Sequence, residues 1–405
     1  MFDSLFDPKT VAIIGASQDP AKIGNAILVN MIGSGYKGQI IPVNPSSKEI
    51  LGIPTIPSID SVMVPPDLVV IALPASKAID VPSAMNSGDV IIRTAAAGIC
   101  RTDIHIIDGI MKERMNFPAL PYTLGHENVG FVEEINGDVR GIKEGNPVIL
   151  HPQNSCGFCR ACRSGMDMLC DNGFSPGLDG TDGGFAEYIR TGSRSLVKLK
   201  QSTDLVGAAP LADAGVTVYH ALNKVIHAIP PDGHIAVIGT GGLGQIAVQV
   251  LKCLTECNII AVDSDEKKIR IAERLGVKDT INSAGKDFSG ELLRLTANIG
   301  ADVIFDFVGD FETPQSSIKG LRKGGVYSII GYGGALNVPT VKLVGSEISV
   351  MGNLVGSYND LDDIVKLYEK GKIRLNVDRF RLEEINEALE KLKSGLIDGR
   401  GVVVF

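Results

Sequence analysis

A chain of 405 residues, 44% hydrophobic with 47 glycines and a formal charge of −8, has the length for two or three domains and the make-up of a turn-rich α/β protein. The negative balance argues against nucleic acid or an anionic membrane surface as a partner, and no apolar run reaches membrane-spanning length. The opening Met1-Phe2-Asp3-Ser4-Leu5-Phe6-Asp7 has no basic residue ahead of an apolar core and does not read as a signal peptide. Four of the seven cysteines fall in one short cluster, so metal binding in a reducing cytoplasm is expected rather than disulfides.

The first predicted strand, Val11-Ala12-Ile13-Ile14, runs into the turn Gly15-Ala16-Ser17, and apolar periodicity predicts a helix over 23–32. Strands at 39–43 and 67–73 follow. Strands alternating with a helix imply a parallel sheet, whose first turn offers backbone N–H groups at a helix N-terminus to a phosphate. With Asp19-Pro20, Lys22, Gly24, Pro42-Val43-Asn44-Pro45 and Ala72-Leu73-Pro74-Ala75, residues 4–76 resemble the start of the CoA-binding domain of succinyl-CoA synthetase-type and ADP-forming acyl-CoA synthetases. The resemblance implies a partial Rossmann-like α/β segment that could hold CoA. The further strands and phosphorylated histidine of that family have no counterpart here, and a structural module is the simpler reading.

From about residue 78 the pattern changes. A strand through Val90-Ile91-Ile92-Arg93 leads to Cys100-Arg101-Thr102-Asp103-Ile104-His105, and Gly125-His126-Glu127 follows. Zinc takes thiolate, imidazole and carboxylate ligands in tetrahedral sites, and a catalytic zinc keeps one position open. Cys100 and His126 are the first two candidate ligands. Short glycine-punctuated strands over 128–150 and 184–200 suit an irregular antiparallel barrel. Between them, Cys156, Cys159, Cys162 and Cys170 form a C-x2-C-x2-C-x7-C pattern. Four thiolates leave no open position, so this zinc is expected to be structural.

Taken together, these motifs resemble the medium-chain zinc alcohol dehydrogenase family, from about residue 78 to Phe405. The resemblance implies a GroES-like β-barrel catalytic domain (77–205 and 352–405) and a doubly wound Rossmann domain (206–351), after the small segment 1–76. It makes Asp213 the third ligand of the catalytic zinc, where many members carry cysteine. With Cys100 as thiolate, Asp213 would bring Zn²⁺ near zero net charge. Asp103 takes the place of the acid that orients His126, and Glu127 that of an orienting group or alternate ligand. Thr102 and His105 take the places of the relay that carries the alcohol proton out. The family's own opening strand is replaced here. Residues 68–82 could complete either the N-terminal sheet or the barrel, and the cost of an open barrel edge favours the barrel.

A second motif follows. The strand Ile235-Ala236-Val237-Ile238 meets Gly239-Thr240-Gly241-Gly242-Leu243-Gly244, then a helix over 245–254 and a strand over 258–262 ending in Asp263, nineteen residues after Gly244. Strand, glycines, helix, strand and acid in that order mark a dinucleotide site. Gly239 permits the turn, Gly241 admits the pyrophosphate and Gly244 lets the helix pack closely. Asp263 suits an adenosine ribose and repels a 2′-phosphate, and Ser264 supplies no cation to reverse this, so NAD is expected over NADP. Lys268 and Arg400 resemble family positions that touch the ribose and the pyrophosphate. Strands at 303–307, 325–330 and 347–351 continue the sheet, and helices are expected at 361–371 and 382–395. Cys253 and Cys257 read as buried, inert thiols, and His151, His220, His227 and His234 as structural. The stretch 174–178 is a candidate pocket wall.

The expected activity is reversible hydride transfer between an alcohol and NAD, giving an aldehyde or ketone, with a catalytic and a structural zinc in each chain. The alternative is a CoA- or acyl-CoA-responsive binding protein with an inactive dehydrogenase body. The resemblance also implies a homodimer or homotetramer built by extending the cofactor sheet edge to edge.

Overall fold

The computed structural model describes residues 8–62, 66–73, 88–110, 122–179, 181–284 and 286–405. The chain divides into two compact units, Met1–Asn86 and Ser87–Phe405.

In the first unit the apolar strand Thr10–Ile14 is central, with Gln39–Val43 and Leu68–Ile71 parallel on either side. The helix Ile23–Gly33 lays Leu28 against Val11, Ile13 and Ile50 on one face of the sheet, while Ala12, Ile14 and Val43 pack on the other. Gly24 is required where this helix crosses the first turn, because a Cβ there would overlap the carbonyl of Gly15. The preference for placing 68–82 in the barrel is corrected: Leu68–Ile71 belongs to the N-terminal sheet. Asp67 explains why. One carboxylate oxygen accepts from the backbone N–H groups of Lys9 (2.8 Å) and Thr10 (2.9 Å) and from the Thr10 hydroxyl (3.1 Å), which pins this strand in register. Residues 74–82, and the expected boundary after residue 76, lie outside the described residues.

The second unit holds two sheets. One runs in the order Leu196–Lys198, Pro147–Leu150, Glu127–Ile135, Asp89–Ile99, Arg400–Val404 and Val377–Arg381, with Tyr188–Gly192 also paired to Asp89–Ile99. It is antiparallel except for its last pair, and its core is Val90, Ile92, Val132, Val148, Leu150, Ile189 and Leu196. Register is what matters for the site. Gly98 stands opposite Glu127, so Cys100, just past the end of one strand, meets His126, just before the start of the next.

The other sheet is a six-stranded parallel one in the order Asp279–Asn282, Asn258–Asp263, His234–Ile238, Ala301–Asp306, Leu321–Ile329 and Ser349–Gly352. Helices such as Gly242–Leu254 and Thr313–Gly320 connect its strands. Strands such as Ala301–Asp306 are buried along their whole length, as a parallel sheet covered on both faces requires. The order in which strands are added reverses beside His234–Ile238, and in such sheets the crevice at the carboxyl ends at that point is where ligands bind. GroES-like barrel, doubly wound sheet and small N-terminal α/β unit are therefore all present. One minor expectation fails: Cys253 is exposed and Cys257 half-buried, because both lie near the solvent-facing end of Gly242–Leu254. Among the described residues no single helix is long and apolar enough to cross a membrane.

Candidate active site

Cys100 caps the short helix Arg101–Ile107, and its backbone N–H donates to Asp103 Oδ2 at 2.9 Å. That bond holds the helix start against the strand it leaves. Asp103 is fully buried and places its other oxygen 3.2 Å from His126 Nδ1, though without the alignment of a hydrogen bond. Asp213 comes from the entry to the helix Ala214–Asn223. Its Oδ2 lies 3.5 Å from His126 Nε2 and 3.7 Å from Cys100 Sγ. One ligating atom from each of Cys100, His126, Glu127 and Asp213 lies within 4.8 Å of all the others.

The electrostatics ask for a cation. Burial opposes charge on His126, yet Asp103, Asp213 and Cys100 together raise its pKa well above the ordinary imidazole value. Burial raises the pKa of Glu127, against the pull of Arg400. Asp213, partly buried, is held below the usual carboxylate value by His126. Both ring nitrogens of His126 and Glu127 Oε2 are buried without a hydrogen-bond partner. Orphaned polar atoms facing one point, from a soft thiolate, an imidazole and a carboxylate, fit zinc. Gly98 makes room for this group, since a Cβ there would overlap Glu127 Oε2.

Arg400 is where expectation and structure differ most. It is buried and bonded to Glu127 Oε1, rather than standing only at a pyrophosphate site. Its side chain also lies against the glycine loop, where a Cβ on Gly242 would come within 2.8 Å of its Cδ and 3.1 Å of Nη1. The guanidinium thus spans the space between the ligand cluster and the cofactor loop, and its Nε has no partner. Nothing in the sequence linked these two groups.

Around the Gly239–Gly244 turn, Gly239 adopts φ +83°, a Cβ on Gly244 would overlap the Gly239 carbonyl, and one on Gly241 would meet open space. The turn and the close helix packing are as expected of Gly239 and Gly244. Leu243 packs into the core below. Asp263 is buried and accepts from the Thr240 backbone at 2.8 Å and from the Thr240 hydroxyl at 3.2 Å. Lys268 sits half-buried in the first turn of the helix Glu266–Arg274. The cavity beside Asp263 and Ser264 also takes in Lys286, a cation that local reading around Ser264 missed.

Thr102 Oγ1 lies 3.6 Å from Cys100 Sγ and 3.0 Å from the hydroxyl of Tyr332, a residue that no motif singles out. Burial, with Arg101 nearby, lowers the pKa of His105, and its buried Nδ1 has no partner. Among the remaining histidines, His220 pairs with Asp360 at 2.9 Å and His151 bonds the Gly356 carbonyl at 2.8 Å. Both are structural as expected.

The second cluster is the cysteine lobe. Sulfur–sulfur distances are 3.5 Å for Cys159–Cys162, 3.9 Å for Cys159–Cys170 and 4.0 Å for Cys156–Cys162. A zinc tetrahedron with bonds of about 2.3 Å has edges of about 3.8 Å. The N–H groups of Phe158 and Cys159 donate to Cys156 Sγ and lower its pKa to about 6, favouring the thiolate that a metal needs.

Comparison with known proteins gives three family matches: the alcohol dehydrogenase GroES-like domain over residues 86–201, zinc-binding dehydrogenase over 242–370, and a CoA binding domain over 9–92. An NAD-dependent alcohol dehydrogenase of Saccharolobus solfataricus is 34% identical over 325 residues, 78% of this chain and 92% of that protein. The D-arabinose 1-dehydrogenase (NADP(+)) of the same organism is 35% identical, covering 78% and 90%. The crystal structure of the alcohol dehydrogenase from Aeropyrum pernix is similar with TM-score 0.77 and 45% identity, over 80% of this chain and 94% of that one.

Proposed function

The chain belongs to the zinc-dependent medium-chain alcohol dehydrogenase family, and on that footing we propose that it transfers hydride between an alcohol and NAD, giving an aldehyde or ketone. One observation carries the reading: Cys100, His126 and Asp213, from three separate stretches of chain, converge on a single point.

Those three residues would hold the catalytic zinc, and Cys156, Cys159, Cys162 and Cys170 a structural one, making two per chain. When bound, zinc supplies Lewis acidity towards the alcohol oxygen and the nicotinamide supplies the hydride acceptor. The rest falls to the chain. Asp103 fixes the orientation of His126. Arg400 neutralises Glu127, which leaves the thiolate of Cys100 and the carboxylate of Asp213 for a divalent cation to balance. Gly239–Gly244 and Asp263 seat the pyrophosphate and ribose, with Lys268 flanking the ribose side. Thr102 takes the alcohol proton and His105 receives it. Its pKa is lowered by burial, so His105 stays neutral, and able to accept, below the usual imidazole range. No partner occupies His105 Nδ1.

An oligomer fits the outer edge of the cofactor sheet, where Val341 (78% exposed) and Val344 (81%) stand on the helix Thr340–Ser346 beside the edge strand Ser349–Gly352. CoA binding by the N-terminal unit is favoured by its Gly15–Gly24 crossing, which has the same close packing as Gly239–Gly244. A cysteine cluster spaced for a metal rather than for disulfides suits a reducing, cytoplasmic setting.

The activity is tested by NADH formation with a panel of primary and secondary alcohols. Turnover should disappear on treatment with a strong chelator and return with zinc; a protein equally active after demetallation would refute the assignment. Alcohol oxidation should persist as pH falls below the ordinary His range and then decline. Arg101→Gln, which removes a charge that lowers the His105 pKa, should move that decline to higher pH; an unmoved acid limb would remove His105 from the relay. Sizing chromatography should give a dimer or tetramer, and a monomer would end the edge-pairing idea. Calorimetric titration with CoA should give saturable heat; none at millimolar CoA would leave the N-terminal unit structural.

A further inference from the structure

Tyr332 has no role in the assignments above, yet it touches both relay groups. Its hydroxyl lies 3.0 Å from Thr102 Oγ1, and its ring stands edge-on to His105, with centroids 5.1 Å apart and planes at 69°. It comes from the loop after Leu321–Ile329, in the cofactor half, while Thr102 and His105 sit on the helix Arg101–Ile107 beside the barrel. Glycines fix that loop. A Cβ on Gly309 would collide with Gly331 and with the Tyr332 backbone nitrogen, and one on Gly334 would collide with Asp310. The Gly334 N–H donates to the Gly309 carbonyl at 2.7 Å. The backbone at Tyr332 is therefore fixed independently of Thr102.

The hydrogen-bond inventory of Thr102 shows what this contact does. A hydroxyl has one proton to give and two lone pairs to receive with. Either hydroxyl can donate in this bond; in the arrangement that serves a relay the phenol, kept protonated by burial, gives its proton to Thr102. That leaves Thr102 one lone pair for the incoming alcohol proton and its own proton for the outgoing transfer. A hydroxyl that could otherwise rotate among several partners has one entrance and one exit.

We propose that Tyr332 is a positioning residue for the proton relay, fixing the direction of the Thr102 hydroxyl through their mutual hydrogen bond. The step it serves is a proton transfer only: the alcohol O–H breaks, a new O–H forms on Thr102, and the proton Thr102 already carried leaves towards His105. The proposal rests on the reading of Thr102 as the relay hydroxyl, and the test separates the two.

The test compares the full-length wild-type chain with Tyr332→Phe, Thr102→Val and the double variant, under steady-state alcohol oxidation in H₂O and D₂O. Phenylalanine keeps the ring against His105 and removes only the hydroxyl. Loss of Thr102 should lower kcat about a hundredfold, within the usual range for positioned proton transfer. Tyr332→Phe should lower kcat about tenfold, with the KM for alcohol changed less than about twofold, and should raise the solvent isotope effect, which a purely structural role would not move. In the Thr102→Val background, Tyr332→Phe should cost nothing more, since the two act through one bond. A Tyr332→Phe enzyme at wild-type rate, or losses that simply add, would overturn the proposal while leaving the relay in place. A Thr102→Val enzyme at full rate would overturn the relay reading and this one with it.

Discussion

The structure is built around an excess of buried negative charge at one point. With Cys100 as the thiolate a metal requires, it, Asp213 and Glu127 face each other within a single ion's reach, and among the described residues Arg400 and the imidazole of His126 stand against them. An uncompensated buried charge costs several kcal/mol, more than one interaction elsewhere usually returns. Such a group is stable when a divalent cation sits among it, and the surrounding chain is arranged to hold its members there. The Gly98–Glu127 register aligns two strand ends. Asp103 ties Cys100 and His126 together, and Gly98 leaves room for the carboxylate that a side chain would displace.

Two links carry this site to the cofactor crevice. Arg400 spans from Glu127 to the glycine loop, and Tyr332 reaches from the cofactor sheet to Thr102 and His105. The metal cluster and the dinucleotide turn are thus joined through particular side chains, one on the charge side of the site and one on its proton side. Oxidation takes a hydride from the carbinol carbon and a proton from its oxygen, and this arrangement gives each its own set of fixed neighbours.

Much of this was legible where chemistry repeats at short spacing. Four cysteines over fifteen positions, or glycines between an apolar strand and a helix, admit few other meanings. Asp213 could be placed only by resemblance, because it lies 113 residues from Cys100 and its own surroundings are merely apolar. The Arg400–Glu127 pair, 273 residues apart, and Tyr332, 230 from Thr102, left no local trace at all. Tertiary packing alone brings them together. The edge strand Leu68–Ile71 was misassigned for a related reason. Its apolar run suits either sheet, and the deciding bonds to Asp67 come from the start of the central strand, 57 and 58 residues away. Cys253 was read as buried because helix periodicity does not tell where a helix end meets solvent.

The central claim is that Asp213 completes a zinc site with Cys100 and His126. It is tested most directly by counting zinc and measuring NAD reduction on the same preparation of Asp213→Asn and of the wild-type chain. The account predicts that the variant keeps the zinc of the cysteine lobe, loses the other, and no longer oxidises alcohol. A variant with the full zinc complement and wild-type turnover would contradict it.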